Sequence, residues 1–215
     1  MRTVSEHRFD GEGGDSLAVS ISEVMKEDYG LYVWPCGICL GEYVWQQRHR
    51  FAGATVIELG AGTGLPGIVA AKVGARVILT DYKLYPEVFE NMRKTCDLNN
   101  VECEIQGLTW GEWDENLLAM KHPRFVLGAD VLYDSKDFDD LFATVSYFLA
   151  NNPDATFITS YECRSGHRSI EFLMGKWKLC CTKLVDVCDI LPPLKQCAIS
   201  SSILIAEIKS IRPGV

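Results

Sequence analysis

ATVIELGAGTGLPGIVAAKVG, residues 54 to 74, passes from an apolar run through a cluster of glycines into a helical pattern. The run ATVIEL is short and β-prone, as a buried strand is, and it carries the acidic Glu58 next to its end. Gly60, Gly62 and Gly64 follow at every second position, then Gly67, and the apolar residues of GLPGIVAAKVG resume at helical spacing as far as Gly74. Glycine takes positive φ without a side-chain penalty and lets the backbone come close to another group. So many glycines weaken a turn that they do not serve, so the stretch reads as strand, ligand-binding turn and helix.

Downstream the same alternation continues. ARVILTD (75–81) is a second strand and PEVFENMRKTCDLNN (86–100) has helical periodicity up to its Asn pair. VECEIQGL (101–108) is a strand by the alternation of Val101, Cys103 and Ile105. RFVLGAD (124–130) is a fourth strand, and DSKDFDDLFATVSYFLANN (134–152) is a long amphipathic helix with Asp134 or Ser135 as its cap. DATFITSY, the helical SGHRSIEFLMGKW, KLCCTKLVDVC, a Pro192-Pro193 loop and SSILIAEIKS complete the chain, the last two strands having no helix between them. This order predicts an α/β fold. It is a Rossmann-like, mostly parallel sheet of seven strands with helices on both faces and an antiparallel C-terminal hairpin at one edge.

A chain of 215 residues with 47% apolar side chains can bury one substantial core. We expect one domain over residues 31–215, with residues 1–30 as an extension packed on it. The formal charge of −8, without any run of basic residues, argues against a broad nucleic-acid surface and favours a basic partner. MRTVSEHRFDGEGGD lacks the apolar centre of a signal peptide, and no apolar stretch reaches the roughly 18 residues of a membrane span. The expectation is a monomeric cytoplasmic or nuclear protein.

The cysteines raise a separate possibility. YVWPCGICLGEYVW (32–45) contains a C-x-x-C, but no second such pair or nearby histidine completes a zinc site, so no metal is expected. A redox motif would carry Trp directly before the first cysteine, and here Pro35 intervenes. Pro at a first helical position followed by Ile38, Leu40, Tyr43 and Val44 reads as a helix start, with Cys36 and Cys39 as small apolar fillers.

In a doubly wound sheet, ligands bind beyond the carboxyl ends of the strands, so the residues to inspect are those at the strand exits. At the first exit Gly62-Thr63-Gly64-Leu65-Pro66-Gly67 fits the dinucleotide pattern GxGxxG. The overlapping frame, Glu58-x-Gly60-x-Gly62-x-Gly64, is similar to the first motif of class I S-adenosyl-L-methionine-dependent methyltransferases. Asp81, at the second exit, suits ribose hydroxyls in either cofactor class, or it caps the next helix. The third exit offers Trp110 as a stacking face or a core aromatic. The fourth places Asp130 and Tyr133 beyond the strand, with a helix cap as the plain alternative for Asp130.

Taken together, YVWP, ELGAGTGLPG, LTWG and the D-x-x-Y of Asp130 to Tyr133 resemble the seven-strand methyltransferase-like proteins, in the group best known for protein-lysine methylation. The likeness spans roughly residues 30–180 and extends to GLPGIVAAKVGA and the DF-x-D-x-x-ATV pattern. It implies S-adenosyl-L-methionine as cofactor. By the resemblance Gly60, Gly62 and Gly64 line the cofactor, Asp81 holds its ribose, Trp110 covers its adenine, Ala129 approaches its adenine or sulfonium end, and Trp34 closes its methionine end, with Glu58, Tyr82 and Thr109 as further cofactor-binding candidates. Asp130 and Tyr133 are the catalytic candidates, orienting an incoming lysine or arginine nitrogen of a protein, a histone among the candidates. Tyr161, Glu162 and Arg164 line the acceptor mouth or form a plain loop. The competing readings are a small-molecule methyltransferase, a nicotinamide-dependent reductase and a silent binding module. The reductase lacks sequence for a second substrate domain, and the silent module does not account for the glycines and D-x-x-Y.

Overall fold

The computed structural model describes residues 2–24, 29–120, 122–162, 168–191 and 202–211. Its first elements are strands that the sequence pattern had not marked. Arg2–Asp10 (β1) and Ser16–Val24 (β2) pair antiparallel across a turn in which Gly13 takes φ 76°. Phe9, Val19 and Ile21 point from this hairpin into the core. Its backbone is also tied down. The edge of β2 meets three side chains one helical turn apart on Pro86–Asn99, a helix described below. Ser20 N–H donates to Asn99 Oδ1 (3.0 Å) and Ser22 N–H to Thr95 Oγ1 (3.3 Å), and Asn91 Nδ2 donates to Ser22 O (2.7 Å). A strand edge is thus covered by amide and hydroxyl groups instead of another strand.

Pro35–Gln46 (α1) begins at the proline, with Trp34 as its N-cap and the Trp34 carbonyl accepting from Gly37 N–H (2.9 Å). Cys36 and Cys39 are buried on it among apolar residues, as expected of fillers. After the short Arg48–Phe51 (α2) come Thr55–Glu58 (β3), Leu65–Lys72 (α3), Arg76–Asp81 (β4), Pro86–Asn99 (α4) and Glu104–Gly107 (β5). Glu115–Ala119 (α5), Phe125–Ala129 (β6), Phe138–Asn151 (α6), Thr156–Glu162 (β7), Arg168–Lys176 (α7), Leu179–Asp186 (β8) and Ile203–Ser210 (β9) follow. Gly74 at φ 95° ends α3, and Asn100 at φ 52° ends α4. The expected cap of α6 is corrected: its N-cap is Asp137, and Asp134 instead accepts from Lys136 N–H in the preceding turn. That turn uses up three residues before helical angles begin.

The main sheet has seven strands in the order β5-β4-β3-β6-β7-β9-β8. The first five are parallel, and β9 inserts antiparallel between β7 and β8. Successive strand residues serve opposite faces. Val56, Val77, Phe125 and Leu127 join α1, α3, α4 and the hairpin in one core, while Ile57, Ile78, Val126 and Phe157 join α5 and α6 in the other. From β3 the chain winds outward through β4 to β5, then returns to lay β6 on the other side of β3. The winding direction therefore reverses between β3 and β6, and their exits, Gly60 and Asp130, stand at the switch point. No helix among the described residues is long and apolar enough to cross a membrane.

Candidate active site

The glycine turn is held from below by two carboxyl groups. Gly62 N–H donates to Asp81 Oδ2 (2.8 Å) and Gly67 N–H to Glu58 Oε2 (2.8 Å). Asp81 Oδ1 accepts from Tyr82 N–H (2.8 Å), so Asp81 is not the cap of α4, whose N-cap is Tyr85. Glu58 is 1% exposed. It supports the turn from inside and presents no surface to a ligand, a different position from the cofactor lining expected of it. Gly60, Gly62 and Gly64 have φ of 58°, 54° and 78°, in the region where side chains are strained. They also have no room for one. A Cβ on Gly60 would lie 3.1 Å from the Trp110 ring, and one on Gly62 3.3 Å from Gly30 O. The turn is thus bordered by Trp110 on one side and the Tyr29–Leu31 segment on the other.

These borders are fixed by residues that no motif revealed. Glu23 Oε1 on β2 accepts from Val33 N–H (2.9 Å), which sets the approach to Trp34. Gly111 N–H donates to Thr144 Oγ1 (2.9 Å) on α6, which pins the turn after Trp110. Ser160 links the remaining parts. Its carbonyl accepts from Asp130 N–H (2.9 Å) and its hydroxyl donates to Cys36 O (2.8 Å), so the exits of β6 and β7 are bonded to the start of α1. The signal for Glu23, Thr144 and Ser160 was absent because each acts through a backbone group far away in sequence.

Trp34 remains 38% exposed, with Tyr32 edge-on at 5.8 Å, and Tyr82 meets Tyr85 edge-on at 5.3 Å. Ala129 ends β6 partly buried against the core. Thr109 Oγ1 is buried with no hydrogen-bond partner among the described residues, a polar atom that a ligand can satisfy. Asp130 has φ 53°, a costly conformation for a residue with a side chain, and it is not the cap of α6. Tyr133 is 53% exposed. Burial of the ring, with Asp137 and Asp81 nearby, pushes its hydroxyl above the ordinary phenol value, so it stays protonated at neutral pH. Tyr161 and Glu162 are the last residues of β7, just beyond the pairing of Ser160 with Ala129, and Arg164 lies outside the described residues. The arrangement is a glycine cradle with an aromatic wall, an unpartnered hydroxyl and a carboxylate at its rim. It fits a nucleoside-bearing ligand without phosphates.

Comparison with known proteins gives the same picture. The family model described as lysine methyltransferase matches residues 14–175. The chain is 44% identical over 178 residues to the histone-arginine methyltransferase METTL23 of Xenopus laevis, covering 82% of this chain and 76% of that protein. It is 35% identical over 127 residues to the protein N-lysine methyltransferase METTL21A of Mus musculus, covering 56% of each. Among solved structures, the CcbJ methyltransferase of Streptomyces caelestis superposes with a TM-score of 0.63 at 12% identity, over 87% of this chain and 94% of that one. The tRNA (uracil-54, C5)-methyltransferase of Pyrococcus abyssi, in complex with S-adenosyl-L-homocysteine, does so with a TM-score of 0.57 at 16% identity, over 88% and 41%.

Proposed function

The chain belongs to the lysine methyltransferase family, whose members are S-adenosyl-L-methionine-dependent enzymes, and on that premise we propose how its residues divide the work on a basic protein substrate. The glycine turn, Asp81, Thr109 and Trp110 hold the donor, and Asp130 with Tyr133 receives a lysine or arginine side chain. The observation that carries this reading is Asp130. It is held at φ 53° at the switch point by its bond to Ser160, although a glycine would sit there without strain. A strained residue with a charged side chain at a ligand-binding rim is kept for what that side chain does.

Bound in the cradle, S-adenosyl-L-methionine supplies an electrophilic methyl group on a sulfonium. The acceptor arrives protonated and gives its proton to water or to a nearby carboxylate before it can attack, and the chain's own task is then alignment: to bring the freed nitrogen lone pair into line with that group and keep water from competing. Asp130 selects and orients a cationic side chain. The Tyr133 hydroxyl, still protonated, donates or accepts one hydrogen bond that fixes the acceptor's angle. The exposed rings of Trp34 and Tyr82 offer faces that favour cations of both donor and acceptor. The net charge of −8 steers basic segments toward the protein, in keeping with the histone named for the METTL23 relatives.

The test is to incubate the purified protein with methyl-labelled S-adenosyl-L-methionine and a cell extract, and to locate the label by mass spectrometry. Label on lysine or arginine within basic segments is the expected result. Label confined to small molecules would overturn the reading.

A further inference from the structure

Glu58 stands apart from the other residues around the glycine turn, because it is enclosed on every side and yet braces the part that meets the cofactor. Its carboxyl lies beneath the first turn of α3, where a Cβ on Gly67 would come to 2.5 Å from Oε2, closer still to the Leu79 side chain and 3.3 Å from that of Val77. Among the described residues, the one backbone donor that its carboxyl receives is Gly67 N–H, at 2.8 Å. Its own carbonyl accepts the Thr80 hydroxyl (2.7 Å), which fixes β3 to β4 just under the turn. The titratable groups facing it are Asp81 from the exit of β4 and Cys103 from the segment before β5. Cys103 is in turn hydrogen-bonded to Cys96 on α4, and α3 contributes its amide. Two acids therefore brace the two ends of one turn, Asp81 at Gly62 and Glu58 at Gly67.

Resting on the cofactor reading above, we propose that Glu58 is a positioning residue of the turn that holds a proton in the ligand-free protein and releases it when the cationic cofactor binds. The step balances simply. The Glu58 O–H bond breaks, the proton passes to solvent buffer, and the carboxylate left behind faces a turn that has gained positive charge. Burial is the main reason that the proton is held, with the like charge of Asp81 adding to it against the Gly67 amide, and together they push Glu58 up to about 8. A cation over the turn opposes both effects, whereas a neutral ligand opposes neither.

Calorimetry of S-adenosyl-L-methionine binding at pH 7, in buffers that differ in ionisation enthalpy, reads the proton directly. For the wild type we expect release of more than half a proton, and affinity that rises by up to roughly tenfold per pH unit from pH 6 to 8. Glu58→Gln should still bind, but without the release and with a flatter profile over that range, while Asp81→Asn should bind more weakly and keep most of the release, since burial is the main reason that Glu58 holds its proton. Equal release in wild type and Glu58→Gln, or none in the wild type, overturns the proposal. If Glu58→Gln fails to fold, the infrared band of a protonated carboxyl in the wild type takes its place: it must be present without cofactor and lost with it, and a band that is absent or unchanged overturns the proposal. Absence of any cofactor binding would instead contradict the family-level function, so the two failures are separable.

Discussion

At the scale of single residues, what the sequence reveals is conformation, and what it conceals is direction. Gly60, Gly62 and Gly64 announce a turn of positive φ because few other residues can make one, and the structure has all three there. Glu58 announces only an acid at a strand end. Nothing in its neighbours tells whether the carboxyl faces a ligand or the underside of α3, and it faces the underside. Cys36 and Cys39 drew notice through their spacing, yet they are core fillers. Cys36→Ala with Cys39→Ala should cost on the order of 1 kcal/mol each and leave cofactor affinity within a few-fold. Loss of binding in calorimetry would give the pair a role denied to it here. For Tyr133 the hydroxyl is the point at issue. An ordinary phenol is already protonated at neutral pH and the shift at Tyr133 is upward, so its work is one neutral hydrogen bond, and Tyr133→Phe should slow methyl transfer by about tenfold, equivalent to about 1.4 kcal/mol, and leave cofactor affinity unchanged. An unchanged rate would show that only the ring matters.

Elements were legible where hydrophobic period and punctuation agreed, as at α3 between its glycines and α4 between Pro86 and Asn100. The β1–β2 hairpin went unmarked because β1 is mostly polar and exposed, although β2 alternates Leu17, Val19 and Ile21 as a half-buried strand does, and the pair is tied down by hydrogen bonds with Asn91, Thr95 and Asn99. Asn99 carries the largest part, accepting from Ser20 N–H and donating to Ser20 O (2.6 Å). Asn99→Ala should leave both groups of Ser20 without that partner and cost about 1–3 kcal/mol, measured by denaturant unfolding. A cost near zero would mean that water replaces the amide freely. The Trp110 turn is a second case. Thr144 on α6 accepts from Gly111 N–H, and Gly111, at φ 75°, sits against Asp140, where a Cβ would come within 2.5 Å. Thr144→Val removes the acceptor and keeps the shape. It should weaken cofactor binding several-fold without touching the acceptor side, which separate titrations of cofactor and substrate would check.

For the whole molecule, the alternation of strands and helices was enough to predict a doubly wound sheet, and the absence of a last helix predicted its antiparallel edge. Hidden from the pattern was how that edge is locked. Glu207 on β9 accepts from Arg50 at 2.6 and 3.0 Å and from the Tyr43 hydroxyl, which joins β9 to α1 and so to the start of the helix beside Trp34. Burial pushes this carboxyl up, but Arg50 and Tyr43 outweigh it and hold it below its ordinary value. Stability from Glu207 is therefore present above the ordinary carboxyl value and is lost as pH falls from there through the lowered value of the folded chain. Glu58 acts with the opposite sign. Held at about 8 against an ordinary 4.5, it stays protonated in the folded chain while the unfolded chain ionises, so stability falls as pH rises from about 4.5 to 8. The ligand-free protein should accordingly have its highest melting temperature near pH 5, and Glu58→Gln should flatten the alkaline side. A melting temperature that climbs from pH 5 to 8 would contradict this.

The central claim is that one side of the switch point holds the methyl donor and the other aligns a cationic nitrogen, and Asp130 is where the two can be told apart. Asp81 and the glycine turn, proposed to hold the cofactor, stand at the exits of β3 and β4, whereas Asp130 stands at the exit of β6. Cofactor affinity by calorimetry, set beside methyl incorporation into the identified protein substrate for wild type, Asp130→Ala and Asp130→Asn, is the most direct measurement. We predict affinities within a few-fold of one another and incorporation reduced about a hundredfold in both variants, since misalignment alone can cost that much and an amide keeps the shape without the charge. Normal cofactor binding together with wild-type incorporation in Asp130→Ala would contradict the account.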